Sequence, residues 1–301
     1  MFKRFGLFFG MNIAIILTIS TITTVLGFNQ YITDVGIDYA SLAGFCLIWG
    51  MVGSFISLFL SKFMVKMTMG VQVFGQEVVD QKLQWLFTTT QHLSQQAGLS
   101  NMPELGIYPG NEINAFATGA TSNSALMAIS QGALENLSEE ELEGIIGHEL
   151  AHIKNGDMVT MALVQGVMNA FVMFFARIIA FAIQNFIRGE DDEDEAPGLV
   201  NGVAYHLTVY VLQVVFGFFA MFIVAYFSRI REFSADRDGA NIAGKGKMLA
   251  ALKALDRTYE ALPASADNIK CFKMSSPKSF MELLSTHPPL GERIAELEKE
   301  L

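Results

Sequence analysis

The chain has 301 residues, of which 51% are hydrophobic and only 17% charged, against roughly 25% charged in an average soluble domain. The apolar excess sits in four long runs, which excludes an ordinary soluble globule and leaves room for one further domain beside several membrane spans. The formal net charge of −10 argues against nucleic acid as a partner, and two cysteines, Cys46 in an apolar run and Cys271 in a polar segment, give no disulfide framework.

The first run, about residues 6–28, follows Lys3 and Arg4. It is long enough to cross a bilayer as a helix, too long for a signal-peptide core, and closed by no clear cleavage site. The second, about 39–61, is joined to it by a link carrying Asp34 and Asp38 but no Lys or Arg, and Lys62 and Lys66 follow. Basic residues therefore flank only the outer ends of this hairpin, which places both ends in the cytoplasm.

The polar stretch after it reads as helix over 71–97, broken by Gly98, Asn101 and Pro103. Short strands are predicted at 105–108, 114–118 and 125–129, separated by Gly, Pro, Ser and Asn turns. Ser138-Glu139-Glu140-Glu141 is a capping-box sequence that opens a helix with an apolar face at Leu142, Ile145, Ile146 and Leu150. Asn155-Gly156 ends that helix, and Asp157 suits the cap of the third run.

The third and fourth runs, about 158–187 and 203–227, flank an acidic segment at 190–195. Alternation puts that segment outside and returns Arg229 and Arg231 to the cytoplasm. Arg177, inside the third run, is expected to snorkel or to pair with a neighbouring helix. Residues 231–243 and 247–259 read as helices, a loop runs to about 278, and a final helix ends near 301. The chain thus divides into an N-terminal hairpin (1–61), a cytoplasmic part (62–157), two further spans with their outer acidic loop (158–227) and a second cytoplasmic part (228–301).

The chemistry lies in His148-Glu149-Leu150-Ala151-His152. Two histidines four apart on a helix point to one side and can bind one metal ion, and imidazoles with a carboxylate suit Zn²⁺. Glu149, one residue past the first histidine, can sit beside the open coordination position, take a proton from the attacking water and return it to the leaving amine. The plain alternative is two helix histidines in ordinary surface contacts. The third ligand expected is Glu232, in Arg231-Glu232-Phe233-Ser234-Ala235-Asp236 on the same membrane face. Asp236, one turn later, can accept a hydrogen bond from a ligating histidine and fix its orientation. Asn114, Ala115 and Phe116 are either an edge strand that pairs with extended substrate or an interior strand. Arg229 is expected to bind substrate or hold Glu232, and Arg231 to face solvent. His92 and His206 read as structural.

The two motifs, His148-Glu149-x-x-His152 directly before a span and Glu232-x-x-x-Asp236 directly after the next, resemble the HtpX-type membrane metalloproteases. These are bacterial relatives of the CAAX prenyl endopeptidases within the gluzincin group. The resemblance covers essentially the whole chain. It implies one zinc ion per subunit held by His148, His152 and Glu232, with Glu149 as general base. It also places His287, in Ser285-Thr286-His287-Pro288-Pro289, at the cleft, where it can stabilise the oxyanion. The implied fold is a mainly α membrane protein with four transmembrane helices and a cytoplasmic α+β zincin-like domain with a small β-sheet. The implied role is cleavage of misfolded or damaged membrane proteins and unfolded polypeptides, under stress, at the bacterial inner membrane. A catalytically silent membrane scaffold, or a zinc hydrolase acting on something other than peptides, are the competing functions. The oligomeric state is not fixed by the sequence.

Overall fold

The computed structural model describes residues 17–28, 31–33, 36–188, 203–260 and 285–299. In chain order, residues 17–25 form helix α1, and β1 (Ile32–Thr33) pairs antiparallel with β2 (Gly36–Ile37). Then come α2 (Tyr39–Thr68), β3 (Gln72–Phe74), α3 (Gln81–Gln96), β4 (Glu104–Tyr108), β5 (Ala115–Thr118) and β6 (Leu126–Ser130). The rest is helical: α4 (Gln131–Asn136), α5 (Glu139–Asn155), α6 (Asp157–Arg188), α7 (Val203–Ala243), α8 (Lys245–Glu260) and α9 (Leu290–Lys299).

Three helices, α2, α6 and α7, are long and apolar enough to cross a membrane. Of the first apolar run only residues 17–28 are described, and the acidic segment at 190–195 lies outside the described residues. The chain divides into two compact units, residues 1–57 with 162–224, and residues 58–161 with 225–301.

In the first unit Arg177 is satisfied by its neighbours rather than left bare. Its Nε donates to the Tyr31 hydroxyl at 3.3 Å, Nη1 donates to the Met173 carbonyl at 3.1 Å, and the guanidinium lies 5.1 Å over the Phe45 ring of α2. This is the pairing expected of it.

The second unit is built on a four-stranded sheet in the order β3-β4-β6-β5. β4 and β6 run parallel, from Glu104↔Leu126 to Tyr108↔Ser130, and β3 and β5 are antiparallel to their partners. Every residue of β6 is buried, as its unbroken Leu-Met-Ala-Ile run requires. One face of the sheet packs Leu105, Met127 and Ile129 against Leu86 and Leu93 of α3 and against Leu142, Ile146, Leu150 and Ile153 of α5. The apolar stripe of α5 thus faces the sheet and fixes the rotation of the helix about its axis.

The capping box of α5 is present. The Ser138 hydroxyl accepts from the Glu141 N–H, and the Glu141 carboxylate accepts from the Ser138 N–H at 2.9 Å. On its other side α5 meets α7 at backbone distance. A Cβ on Gly239 would lie 3.0 Å from the Cα of His148, so this crossing needs glycine.

The structure departs from the sequence expectations at four places. The segment expected to be helical over 71–97 begins with strand β3, which three backbone pairings to β4 create and no local pattern announces. The helix does not stop where the second apolar run ends: α2 continues through Lys62 and Lys66, which bind Glu104 at 2.8 and 2.6 Å. The fourth run and the helix expected over 231–243 are one helix of 41 residues, because no proline interrupts it and the packed Gly239 is tolerated within it. Helix α4 was not expected. Ser130 caps it, its hydroxyl accepting from the Ala133 N–H at 3.0 Å.

Candidate metal centre

Helix α5 presents His148 and His152 on one side, with their Nε2 atoms 3.1 Å apart. Helix α7 brings Glu232 to them from 80 residues later in the chain (232 − 152). Its Oε2 is 3.5 Å from His148 Nε2 and its Oε1 3.4 Å from His152 Nε2. Among the described residues these three form a group whose ligand atoms lie within 4.8 Å of one another.

Two features say that this group fits a cation. Each histidine turns its Nδ1 to a carboxylate, His148 to Asp236 Oδ1 at 3.0 Å and His152 to Asp157 Oδ2 at 2.6 Å. With Nδ1–H donating outward, both Nε2 lone pairs face each other and Glu232, an arrangement that repels unless a positive charge sits between them. In addition, Glu232 is a buried carboxylate, 4% exposed, with one oxygen turned to each of these nitrogens. Two imidazoles and one carboxylate, the imidazoles each held by a further carboxylate, are the donor set of a catalytic zinc-type site.

Glu149 is also buried, 8% exposed, between the two histidines in sequence. Its charge helps to raise the pKa of His152. Burial pushes both imidazoles down. Hydrogen bonds to Asp236 and Glu232 outweigh this at His148, and the hydrogen bond to Glu232 with the charge of Glu149 does so at His152, so both pKa values stand above 6.5. Burial likewise pushes Glu232 up, but its hydrogen bonds with His148, His152 and His287 hold it far below the usual carboxylate range.

The remaining expected residues are placed as follows. Asp236, 2% exposed, orients His148. His287 has its Nδ1 3.0 Å from Glu232 Oε2, and its side chain is 65% exposed at the rim. Arg229 donates from Nη1 to the Ser285 carbonyl at 3.2 Å, so it holds the loop that carries His287. Ala115 and Phe116 lie in β5, which among the described residues is one of the two edge strands of the sheet and lies beside α5. The Asn114 N–H is taken by the Ser130 hydroxyl at 3.1 Å. Arg231 does not face solvent as expected: it is ion-paired with Asp157.

Comparison with known proteins agrees with this geometry. The family model for peptidase family M48 matches residues 80–301. Protease HtpX of Shewanella frigidimarina is 44% identical over 297 residues, covering 98% of this chain and 99% of that protein. The chain belongs to peptidase family M48. A Protease HtpX homolog of Albidiferax ferrireducens is 46% identical, with 98% of both chains covered. The crystal structure of S. mikatae Ste24p superposes with a TM-score of 0.63 at 16% identity, which bears on the fold alone. This chain is covered to 99% and spans 64% of that one. As a member of M48 with three membrane-length apolar helices, the protein is a membrane metallopeptidase.

Within this M48 site the sequence left three residues unassigned. Arg293 of α9 reaches Asp236 with two hydrogen bonds, Nε to Oδ2 at 2.7 Å and Nη2 to Oδ1 at 2.5 Å, and its Nη1 is 3.2 Å from Glu232 Oε2. A signal for it existed: Leu290, Arg293, Ile294 and Leu297 share one face of α9, so the arginine stands on the apolar side. Asp157 and Arg231 had none, because their roles depend on how the chain turns at Gly156.

Proposed function

We propose that this M48 member is a zinc-dependent endopeptidase of the bacterial cytoplasmic membrane, with His148, His152 and Glu232 as ligands and Glu149 as general base. The observation that carries the reading is the meeting of both Nε2 atoms with the buried Glu232 carboxylate beside a buried Glu149. Zinc bound there supplies Lewis-acid polarisation of the scissile carbonyl and makes water nucleophilic near neutral pH.

The chain's own groups do the rest. Glu149 takes the proton of the attacking water and delivers it to the departing amine. Asp236 and Asp157 hold the two imidazoles with Nε2 free. His287 stands where it can donate to the carbonyl oxygen as negative charge develops. The outer edge of β5 at Ala115 and Phe116 offers backbone groups to an extended polypeptide, which adds as a further strand, and Asn114, whose N–H and carbonyl both bind Ser130, anchors the start of that edge. Arg229 holds the loop that carries His287 through its bond to the Ser285 carbonyl.

The reading extends to topology and role. Four spans cross the membrane, with segments 1–61 and 158–227 supplying the hairpins. The parts 62–157 and 228–301 form the cytoplasmic zincin-like domain. The substrates are misfolded or damaged membrane proteins and unfolded polypeptides, cleaved in stress-related quality control. The names of the relatives and the basic residues flanking the apolar runs support this.

The decisive experiment uses the purified full chain loaded with zinc. Glu149→Gln should retain one zinc per chain and lose cleavage of an unfolded protein by about 10²–10⁴-fold. Wild-type cleavage by this variant would remove Glu149 from the mechanism. For topology, a cysteine at the exposed position Gln96 should resist an impermeant maleimide in intact cells. Labelling there would place the domain outside.

A further inference from the structure

Helix α5 ends at Asn155, and Gly156 stands in the left-handed region at φ 67° before α6 begins at Asp157. In an unbroken helix a residue five positions after His152 would point about 140° away from it. The left-handed joint folds the chain back instead, and the Asp157 carboxylate meets His152 Nδ1 at 2.6 Å. Asp157 is 5% exposed, and its second oxygen is ion-paired with Arg231. Arg231 immediately precedes Glu232 in α7. One turn of α7 therefore delivers the third candidate ligand and also grips the carboxylate that orients the second.

The structure assigns Arg231 and Asp157 as positioning residues of the metal centre, a relay from α7 through Asp157 to His152 that sets where the His152 Nε2 lone pair points. A buried carboxylate held only by an imidazole N–H can rotate about its Cβ–Cγ bond. A guanidinium on its other oxygen fixes its plane, and with it the plane of the ring. The relay mirrors the one on the other ligand, where Arg293 holds Asp236 and Asp236 holds His148. The two differ in their anchors. Arg293 belongs to the C-terminal helix, whereas Asp157 is the first residue of α6 and Arg231 lies in α7. The relay through Arg231 thus makes the geometry of His152 depend on the seating of the α6 start against α7.

This inference rests on the metal reading above, and its test is read first on metal retention. The full chain in nanodiscs is loaded with Zn²⁺, and the rate of zinc loss to excess chelator is measured for wild type, Arg231→Gln, Asp157→Asn and the double variant. Asp157→Asn should lose zinc about 10–100-fold faster, the range typical of groups that orient metal ligands. Arg231→Gln should be faster by about threefold or more, and the double variant no faster than Asp157→Asn, because the arginine acts through the aspartate. Arg231→Lys should recover part of the effect, restoring charge without the planar fork. With Co²⁺ in place of zinc, the visible spectrum of Arg231→Gln should shift, and its cleavage defect should fall on kcat with KM little changed. Loss of zinc by Arg231→Gln at the wild-type rate with an unchanged cobalt spectrum would overturn the relay. So would additive effects of the two substitutions, or an Arg231→Lys variant as defective as Arg231→Gln. A wild-type chain that holds zinc but cleaves no polypeptide refutes the endopeptidase reading while leaving the relay standing. A wild-type chain that holds no zinc refutes both.

Discussion

Arg293 is 6% exposed and closes a cluster in which Glu232 and Asp236 are 4% and 2% exposed. Two carboxylates this close and this deeply buried are compatible with folding only because a guanidinium lies between them. Breaking such a buried pair from one side costs about 3–5 kcal/mol, since the remaining charge is left uncompensated. Arg293→Met should therefore lower the melting temperature of the full chain strongly, and weaken zinc retention as well, because Asp236 then loses its anchor. A melting temperature unchanged from wild type would show that α9 does not support the site. Gly156 offers a milder test at the same scale. A Cβ there meets nothing within 4 Å, so the cost of Gly156→Ala is conformational alone, about 1–2 kcal/mol for a left-handed alanine. Chemical denaturation should show that loss, and Gly156→Asn should lose less.

Among elements, the end of α2 and strand β4 are joined by Lys62 and Lys66, both bound to Glu104, and Lys62 also donates to the Ser124 carbonyl at 3.0 Å. Burial pushes Glu104 up, but hydrogen bonds from the two lysines outweigh it, and the carboxyl stands below its usual 4.5. A depressed carboxylate stabilises the fold above its unfolded pKa and ceases to do so as pH falls through the folded value. The side chains are well exposed, so each pair contributes only about 0.2–1 kcal/mol. Glu104→Gln should accordingly destabilise slightly at pH 7 and lose its difference from wild type as pH falls through the lowered folded value, measured by denaturant midpoint. A difference that does not shrink at all on acidification would mean that packing, not charge, carries the effect.

For the whole molecule, the proposed zinc site sets metal and protons in competition for the same nitrogens. In the metal-free chain both histidines have raised pKa values, so their protonated forms stabilise the fold below about pH 6.5, and this contribution is lost as pH rises through the raised folded values. Zinc reverses the sign, since it binds only the neutral rings. Its affinity should fall as pH drops through the raised values, with protons released on binding. Calorimetry in buffers of different ionisation enthalpy measures that release. Zero release at pH 6.5 would contradict the paired imidazoles described above. Chelation at pH 7.5 should lower the melting temperature, by the equivalent of about 2.7 kcal/mol when free zinc had stood at a hundred times its dissociation constant.

The sequence by itself determined what depends on local spacing. The four-residue interval of His148 and His152, the capping box at Ser138 and the apolar stripe of α5 are all properties of one helical period, readable from neighbours in the chain. Long apolar runs announced α2, α6 and α7 in the same way, and the strand expectations near β4, β5 and β6 followed from turn residues on either side. Glu232 and Asp236 were legible only because the expected topology returned the chain to the same membrane face. Tertiary structure decided the rest. β3 exists because β4 pairs with it, and β5 is an edge because no described strand lies beyond it. Asp157 looked like a helix cap until the left-handed Gly156 swung it onto His152, and Arg293 meets Asp236 from 57 residues away. The turn at Gly156 hinges on a single dihedral and leaves no periodic trace in the sequence, and the long-range Arg293–Asp236 contact leaves only the arginine's place on the apolar side of α9. Electrostatic pairing of buried charges is satisfied in three dimensions, so Asp157, Arg231 and Arg293 find their partners only when the helices that carry them are packed.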